Sequence, residues 1–225
     1  MKRKVFINVR LDSTRIPNKP LQEISGIPLF EFAMSKFKDY DLFVDTDPAN
    51  LLDLIKQKIP WANCYARDPE HATSLNPGTR MFERFLIEHV KNDNEPVAIY
   101  HITSPFLLPS TMNECFEALK SPYDSVATVN VVRNFVYRSQ LLPDKSLKHI
   151  PVNFDPRETP RTQDMEPLFV LNHACFVLTK ATFFQHKSKV GMNPKFIETK
   201  FPENWDIDYP EDLTLAQLSA QTMTK

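Results

Sequence analysis

Short runs of mostly apolar residues recur along the chain, and several of them are continuous rather than alternating. The first, VFINV at residues 5–9, is followed directly by Arg10, and VAIYHI at residues 97–102 is the strongest. Continuous apolar runs of this length are typical of strands covered on both faces of a sheet. We therefore predict strands at residues 5–9, 41–44, 63–65, 97–102, 125–132, 168–178 and 196–199.

Helical patterns lie between these runs. The clearest places Met81, Phe82, Phe85, Leu86 and Val90 on one face, and others begin behind a proline or a serine cap. We predict helices at residues 28–37, 49–58, 79–90 and 110–119, and a last one from Pro210 onwards. Alternating strands and helices indicate βαβ units, hence an α/β fold with a mostly parallel sheet that binds ligands at the carboxyl ends of its strands.

The stretch at residues 133–165 breaks this alternation. It is polar and rich in proline. A long segment of this kind in a compact domain is usually functional or disordered, so we interpret it as an excursion that forms a lid, a dimerisation arm or a wall of the substrate site. Because 225 residues suit one core, we predict a single domain over residues 1–225 that includes the excursion.

The charge balance argues against large anionic partners. The 27 Lys and Arg residues and the 28 Asp and Glu residues give a formal net charge of -1, so the chain lacks the positive field that attracts nucleic acid or anionic membranes. The apolar run after the N-terminus is too short for a signal peptide, and no run reaches the ~18 residues of a spanning helix. We expect a cytoplasmic protein with a small-molecule partner, and no nucleic-acid or membrane partner.

The cysteines predict neither zinc nor redox chemistry. Cys64, Cys115 and Cys175 are widely spaced and form no CxxC pair. We expect all three to be free thiols.

The segment RLDSTRIPNKPL at residues 10–21 follows the first predicted strand. It carries Arg10, Arg15 and Lys19, with the hydroxyl groups of Ser13 and Thr14 between them. Such groups at a strand end predict a polyphosphate site, with a solvated basic loop as the alternative. The chain has only 3 glycines against 19 prolines, and this loop has none, which excludes a P-loop or GxGxxG motif. Side chains must therefore bind most of any phosphate.

Two carboxylates, Asp206 and Asp208, lie one residue apart near the end of the chain. In an extended backbone they point to the same side and can hold one Mg²⁺ together with substrate phosphates. The alternative is structural, with Asp208 as the N-cap of the last helix and Asp206 merely exposed.

Two further clusters carry polar side chains that suit a sugar. Arg161 and Gln163 can together bind a carboxylate and hydroxyl groups. Asn172 lies in an apolar strand and needs a hydrogen-bond partner there. The alternative is that Asn172 only holds the backbone in place. His101 follows the strongest strand, where ligands bind, although a histidine at such a position is more often structural than catalytic.

The triplet Asp45-Thr46-Asp47 follows another predicted strand. We interpret it as a turn that leads to a helix cap. The alternative is the DxD motif of a glycosyltransferase that uses a nucleotide-sugar, but that interpretation leaves the basic loop unexplained.

Taken together, these clusters resemble the cytidylyltransferases that activate 3-deoxy-2-keto sugar acids, the CMP-sialic acid (N-acylneuraminate) synthetases and the CMP-Kdo synthetases. RLDSTRIPNKPL is similar to the family's N-terminal signature, and DLFVDTD to the strand and turn that follow it. HITSPF, RTQD, LNHACF and IDYPED resemble the family's QPTSPL, RxQ, NGAxY and IDTPED segments. The six segments come in the family's order and extend over nearly the whole chain.

This resemblance implies a three-layer α/β/α nucleotidyltransferase sandwich, dimeric through residues 133–165. It also implies transfer of CMP from CTP to the anomeric hydroxyl group of an acidic keto-sugar, with release of pyrophosphate and Mg²⁺ as cofactor. By position, Arg10, Lys19 and Asp208 would be catalytic, Arg10, Ser13, Lys19 and Arg67 would bind the nucleotide, and Asp206 and Asp208 would bind the metal ion.

The resemblance also implies a sugar pocket, and here the chain departs from the family. Arg161 would face the sugar carboxylate, while Gln163, Asn172 and Phe176 shape the pocket and His101 stands where the family has glutamine. His173 replaces the glycine of the NGAxY segment, which predicts a narrower pocket and hence a different sugar or reduced activity. A catalytically weak nucleotide- or sugar-binding homologue is therefore the alternative function.

Overall fold

A seven-stranded sheet forms the centre of the fold in the computed structural model, which describes residues 2–68, 78–158 and 160–223. The strands are β1 (Lys4–Arg10), β2 (Glu23–Ile24), β3 (Ile27–Pro28), β4 (Asp41–Asp47), β5 (Asn63–Ala66), β6 (Pro96–Tyr100), β7 (Ser125–Val132), β8 (Tyr137–Leu141), β9 (Leu147–Pro151), β10 (Leu168–Thr179) and β11 (Pro194–Glu198). The helices are α1 (Leu29–Met34), α2 (Ala49–Lys58), α3 (Gly78–His89), α4 (Pro109–Ala118), α5 (Lys180–His186) and α6 (Pro210–Met223).

The large sheet is mostly parallel. Its order is β11-β7-β10-β6-β1-β4-β5, and β10 is the one strand in it that runs antiparallel to both of its neighbours. The pairs β2–β3 and β8–β9 form separate two-stranded hairpins. The carboxyl ends of β1, β4, β5 and β6 therefore lie along one edge, which is where an α/β sheet binds its ligands.

Helices cover both faces of the sheet, and the alternation along β1 shows why. Val5, Ile7 and Val9 point into a core with α1, α2 and α4, while Phe6 points the other way and packs against Phe82 and other residues of α3. Both faces of the strand are buried, so its apolar run is continuous. The arrangement is the three-layer α/β/α sandwich that the sequence predicts.

A third and smaller core joins the two ends of the chain. Ile16, from the loop after β1, packs with Ile207 and with Ala216 and Ala220 of α6. Burial of a large aliphatic side chain contributes about 1.5–3 kcal/mol, so this cluster holds the basic loop firmly against the segment of the two late aspartates.

Most predicted elements are confirmed, and the differences are local. All seven predicted strands and five predicted helices are present, but α5 and both hairpins were not predicted. The predicted turn at residues 45–47 is wrong, because β4 continues through Asp47 and pairs with β1 over its whole length. The excursion contains the β8–β9 hairpin and a short 3-10 helix, Thr162–Asp164.

Two composition-based expectations also have a structural outcome. The three cysteines are free, as predicted, and Cys115 and Cys175 are buried. Among the residues that the structure describes, the helices are all too short or too polar to cross a membrane.

Candidate active site

A cavity of about 390 Å³ opens at the carboxyl ends of β1 and β6. It brings together six of the residues predicted from the sequence, which are separated by up to almost two hundred positions along the chain: Arg10, Ser13, Lys19, His101, Asp206 and Asp208. The loop after β1 forms one wall, and the segments after β6 and before α6 form others. The cavity therefore lies where an α/β sheet is expected to bind a ligand.

Cations of the basic loop surround the carboxylate of Asp208. Lys19 is only 8% exposed, and its Nζ donates to the carbonyl oxygen of Ile207 at 2.5 Å and lies 3.4 Å from Asp208 Oδ1. Arg15 Nη1 lies 3.0 Å from Asp208 Oδ2, and its guanidinium stacks on Tyr209 at 5.0 Å from the ring centroid. A hydrogen bond with Tyr209 and the charge of Asp208 raise the pKa of Arg15. The loop is thus permanently cationic beside the two aspartates.

The last helix does not use Asp208 as its cap. The carboxylate of Asp212 accepts hydrogen bonds from the backbone N–H groups of Asp208 at 3.0 Å and Tyr209 at 2.8 Å. This is half of a capping box, in which the third helical residue satisfies the amide before the helix. The side chain of Asp208 is therefore left to face the cavity, which argues against its structural interpretation as an N-cap.

Asp206 is the second carboxylate of the aspartate pair. Burial raises the pKa of Asp206, and the charge of Asp208 adds to this effect, while a hydrogen bond with Thr103 and the nearby Lys19 and His173 act in the opposite direction. Asp206 and Asp208 both line the cavity, and two carboxylates plus substrate phosphates are a common ligand set for Mg²⁺.

Two histidines and one lysine also line the cavity, and the ring of Phe176 packs against the histidines. The rings of His101, His173 and Phe176 lie 5.8 to 6.4 Å apart, centroid to centroid. Lys189 Nζ lies 3.3 Å from His101 Nε2. Burial, with the charges of Lys189 and His173, lowers the pKa of His101 to about 3, so this imidazole is neutral near pH 7.

A bulge in β10 presents His173 to the cavity. The pairing of β10 with β7 shifts register between Leu171 and Phe176, and His173 has a φ of 61°, the left-handed conformation that favours glycine. Asn172 stabilises the bulge through its side-chain amide. The amide oxygen accepts a hydrogen bond from Thr128 Oγ1 at 2.7 Å, and the amide nitrogen donates one to Thr199 Oγ1 at 2.6 Å. Asn172 is thus fully occupied by the protein, and Phe176 is buried against the rings of the two histidines. Neither Asn172 nor Phe176 lines the cavity, so their roles in a sugar pocket stay predictions.

Arg67, predicted to bind the nucleotide, does not line the cavity. Its guanidinium is buried, with Nε 2.7 Å from Asp45 Oδ1 and Nη1 3.1 Å from Asp47 Oδ2. The same group also donates hydrogen bonds to the side chain of Asn8 and to the carbonyl oxygen of Val9. These contacts tie β5 to the ends of β4 and β1. They also occupy the carboxylates of the DxD triplet, so that alternative loses its metal-binding groups.

Arg161 and Gln163, the other predicted sugar-binding residues, are exposed and do not line the cavity. Arg161 Nε instead pairs with Asp164 at 2.7 Å. Neither residue therefore contributes to the cavity, and the roles of both stay predictions.

Lys189 is the main residue of the cavity that sequence reasoning missed. It lies in the segment HKSKVG after α5, a helix that was itself not predicted, and it belongs to no motif. The only indication in the sequence is a pair of lysines at positions 187 and 189, which by itself is typical of a solvated surface. Only the fold reveals that the second one turns inward.

Comparison with known proteins gives a consistent result. A family model described as cytidylyltransferase matches residues 5–221. The N-acylneuraminate cytidylyltransferase of Streptococcus agalactiae serotype III is 26% identical over 195 residues, which is 84% of this chain and 46% of that relative. The 3-deoxy-manno-octulosonate cytidylyltransferase of Rickettsia canadensis is 34% identical over 134 residues, 56% of this chain and 51% of that relative. The chain thus spans about half the length of the curated relatives it matches.

The fold also has a close solved counterpart. The structure of CMP:2-keto-3-deoxy-manno-octonic acid synthetase complexed with CTP superposes with a TM-score of 0.66 and 13% sequence identity, and the match covers 99% of this chain and 100% of that one. At this identity the likeness shows the shared fold alone.

Proposed function

Because the chain belongs to the cytidylyltransferase family, we propose that it transfers CMP from CTP to an acidic 3-deoxy-2-keto sugar and releases pyrophosphate. One observation carries this proposal. The basic loop at residues 10–19 and the aspartate pair at residues 206 and 208 meet in one cavity, and Lys19 Nζ and Asp208 Oδ1 lie 3.4 Å apart there. That combination of cations and carboxylates matches what a metal-bound triphosphate needs.

The chain's own residues would bind and orient the triphosphate. Arg10, Arg15 and Lys19 supply positive charge, and Ser13 and Thr14 supply hydroxyl donors along the same wall. In the reaction the oxygen of the anomeric hydroxyl group forms a bond to the α-phosphorus, and its proton passes to solvent. The bond from the α-phosphorus to the oxygen that bridges to the β-phosphate breaks, and pyrophosphate leaves with that oxygen. Transfer of this kind depends on positioning and charge neutralisation more than on covalent participation by the protein.

Mg²⁺ is the cofactor that the family implies, and the donor set fits it. Asp206 and Asp208 would hold the ion. When bound, Mg²⁺ neutralises charge on the phosphates. Among residues 2–68, 78–158 and 160–223, no cluster of three or more His, Cys, Asp or Glu side chains is placed to hold a metal ion.

The test of the proposed function is pyrophosphate release. The purified protein is incubated with CTP, MgCl₂ and either N-acetylneuraminate or 3-deoxy-manno-octulosonate, and pyrophosphate and the CMP-sugar are quantified. We expect release with at least one sugar acid and none without sugar. Retained CTP binding with no release from any keto-sugar acid in a panel would instead favour the catalytically weak binding homologue.

We further propose that the enzyme is a homodimer and that a second copy covers the excursion hairpin. Leu141 and Leu147 pair directly across β8 and β9 and are 67% and 58% exposed. Large apolar side chains also project from nearby, at Phe135, Tyr137, Phe169 and Val170. An exposed apolar patch of this kind marks an interaction surface.

Replacement of both leucines is expected to separate the protomers. The variant Leu141→Asp/Leu147→Asp places two charges in the proposed interface, so it should elute as a monomer in size-exclusion chromatography with light scattering, while the wild type elutes as a dimer at tens of micromolar. Gln140→Asp, which alters the opposite face of the same hairpin, should remain dimeric. A monomeric wild type would contradict the proposal.

A further inference from the structure

Lys189 places a positive charge in the cavity wall, and none of the described residues provides a counter-ion for it. Its Nζ contacts His101 at 3.3 Å and lies 5.7 Å from the centroid of the Phe176 ring. In the part of the chain that the structure describes, no carboxylate forms an ion pair with it. Burial lowers the pKa of Lys189, which reflects the unfavourable removal of an ammonium group from water without compensation.

The imidazole of His101 cannot supply the missing negative charge. It is neutral, so its Nε2 accepts one hydrogen bond from the lysine. An ammonium group has three hydrogens. A ligand in the cavity can therefore accept the others, and an anionic ligand would also provide the missing charge.

The segment that carries Lys189 is rigidly attached to the core. After α5, the backbone N–H of Gly191 donates to Ser125 Oγ at 2.8 Å, and that of Met192 donates to Asp124 Oδ2 at 2.8 Å. A Cβ atom at Gly191 would collide with the Asp124 carboxylate, so the turn requires glycine at that point. Lys189 is thus held in place before any ligand arrives, which favours tight binding.

Lys189 has different contacts from the cations of the basic loop. Arg15 and Lys19 both contact Asp208, whereas Lys189 contacts His101 and lies near the Phe176 ring. All three cations line the same cavity. If the triphosphate occupies the part of the cavity near Arg15 and Lys19, the part near Lys189 is left for the sugar.

We propose that Lys189 binds the carboxylate of the sugar acid and so determines that the substrate is an acid. This inference rests on the proposed function and deepens it. The family resemblance implies that Arg161 faces the sugar carboxylate, and the inference assigns that role to Lys189 instead. Arg161 is exposed, pairs with Asp164 and does not line the cavity. Lys189 is the specificity-determining cation, and His101 is the positioning residue that holds it.

The experiment compares acid and amide substrates in matched variants. Pyrophosphate release is measured for wild type, Lys189→Met and Lys187→Met with N-acetylneuraminate and 3-deoxy-manno-octulosonate and with the carboxamide of each. Lys187 is a suitable control because it pairs with Glu83 at 2.7 Å on the surface and does not line the cavity. CTP affinity is measured separately by calorimetry, and circular dichroism checks that each variant is folded.

We expect the wild type and Lys187→Met to prefer the acid over its carboxamide by roughly 10- to 100-fold in kcat/KM, as is typical for a hydrogen bond between charged groups. Lys189→Met should lose this preference because its KM for the sugar acid rises. Its affinity for CTP should be unchanged. Lys189→Gln serves the same purpose if the methionine variant does not fold.

Two results would overturn the inference while the proposed function stands. One is an acid preference retained in Lys189→Met, and the other is a loss of CTP affinity in that variant, which would assign the lysine to the phosphates. If the wild type releases no pyrophosphate with any sugar, the proposed function fails instead. In that case calorimetry measures the binding of the sugar acids to the wild type and to Lys189→Met. Weaker binding to Lys189→Met supports the proposed role of Lys189. Equal binding to both proteins, or no detectable binding to either, rejects it.

Discussion

Replacement of Asp208 by asparagine is expected to lower kcat for pyrophosphate release by roughly 100- to 1,000-fold, the range seen when one group that stabilises transition-state charge is removed. The change keeps the size of the side chain but removes the charge that faces Arg15 and Lys19. It also removes one of the two proposed metal ligands. Steady-state assays over a range of MgCl₂ concentrations measure the effect, and the apparent affinity for Mg²⁺ should fall with kcat.

The fold should tolerate this change. The side chain of Asp208 is partly exposed, and Lys19 Nζ keeps its hydrogen bond to the carbonyl oxygen of Ile207, so the melting temperature should barely move. Glu211→Gln is the matched control, because Glu211 is an exposed carboxylate in the first turn of α6 and should retain full activity. Normal turnover by Asp208→Asn would refute the metal assignment.

Replacement of Arg67 by methionine is expected to give the largest loss of stability, about 3–5 kcal/mol, because it leaves the buried charge of Asp45 without a partner. Asp45 is only 1% exposed and is held by Arg67 Nε at 2.7 Å. For a chain of this size the loss corresponds to a melting temperature lower by roughly 6–20 °C. Thermal and urea unfolding measure it, and Arg157→Met, which breaks a surface pair with Asp155, should leave the melting temperature nearly unchanged.

The loss of folding stability in Arg67→Met should also depend on pH. Burial raises the pKa of Asp45, and the hydrogen bond and charge of Arg67 oppose that rise, so loss of the arginine moves the pKa further up. A carboxyl group with a higher pKa in the folded than in the unfolded state binds its proton more tightly when folded. The variant should therefore recover stability as the pH falls through the folded pKa of Asp45.

The same variant separates the two roles of Arg67. If the arginine acts only in the fold, KM for CTP should be unchanged well below the melting temperature of the variant. If it binds the nucleotide, as the family resemblance implies, KM should rise at the same temperature. Arg67→Met/Asp45→Asn should regain much of the lost stability without any effect on KM.

The sequence predicts the layers of this fold well because burial leaves a direct pattern. Continuous apolar runs such as residues 5–9 predict strands covered on both faces, and β1 is one. The β8 strand, YRSQL, is exposed throughout, so no alternation of apolar and polar residues marks it. Helix α5 has only seven residues, and its buried side chain is Phe183. One buried side chain is too little to give a periodic pattern of apolar residues.

The site is predictable only where its residues belong to motifs. The basic loop and the aspartate pair stand out by charge, whereas Arg67 and Asp45 are 22 positions apart and become neighbours only through the pairing of β4 with β5. Lys189 becomes part of the cavity through a turn anchored by Asp124. Contacts of this kind depend on strand register and turn geometry, which a single sequence does not display.

The third core, where Ile16 packs with Ile207 and α6, has a consequence for synthesis of the protein. The basic loop leaves the ribosome almost two hundred residues before its carboxylate partners. A nascent chain can therefore form much of its central sheet while the cavity is still incomplete. If the cavity binds the triphosphate as proposed, a chain that lacks α6 is expected to bind nucleotide weakly.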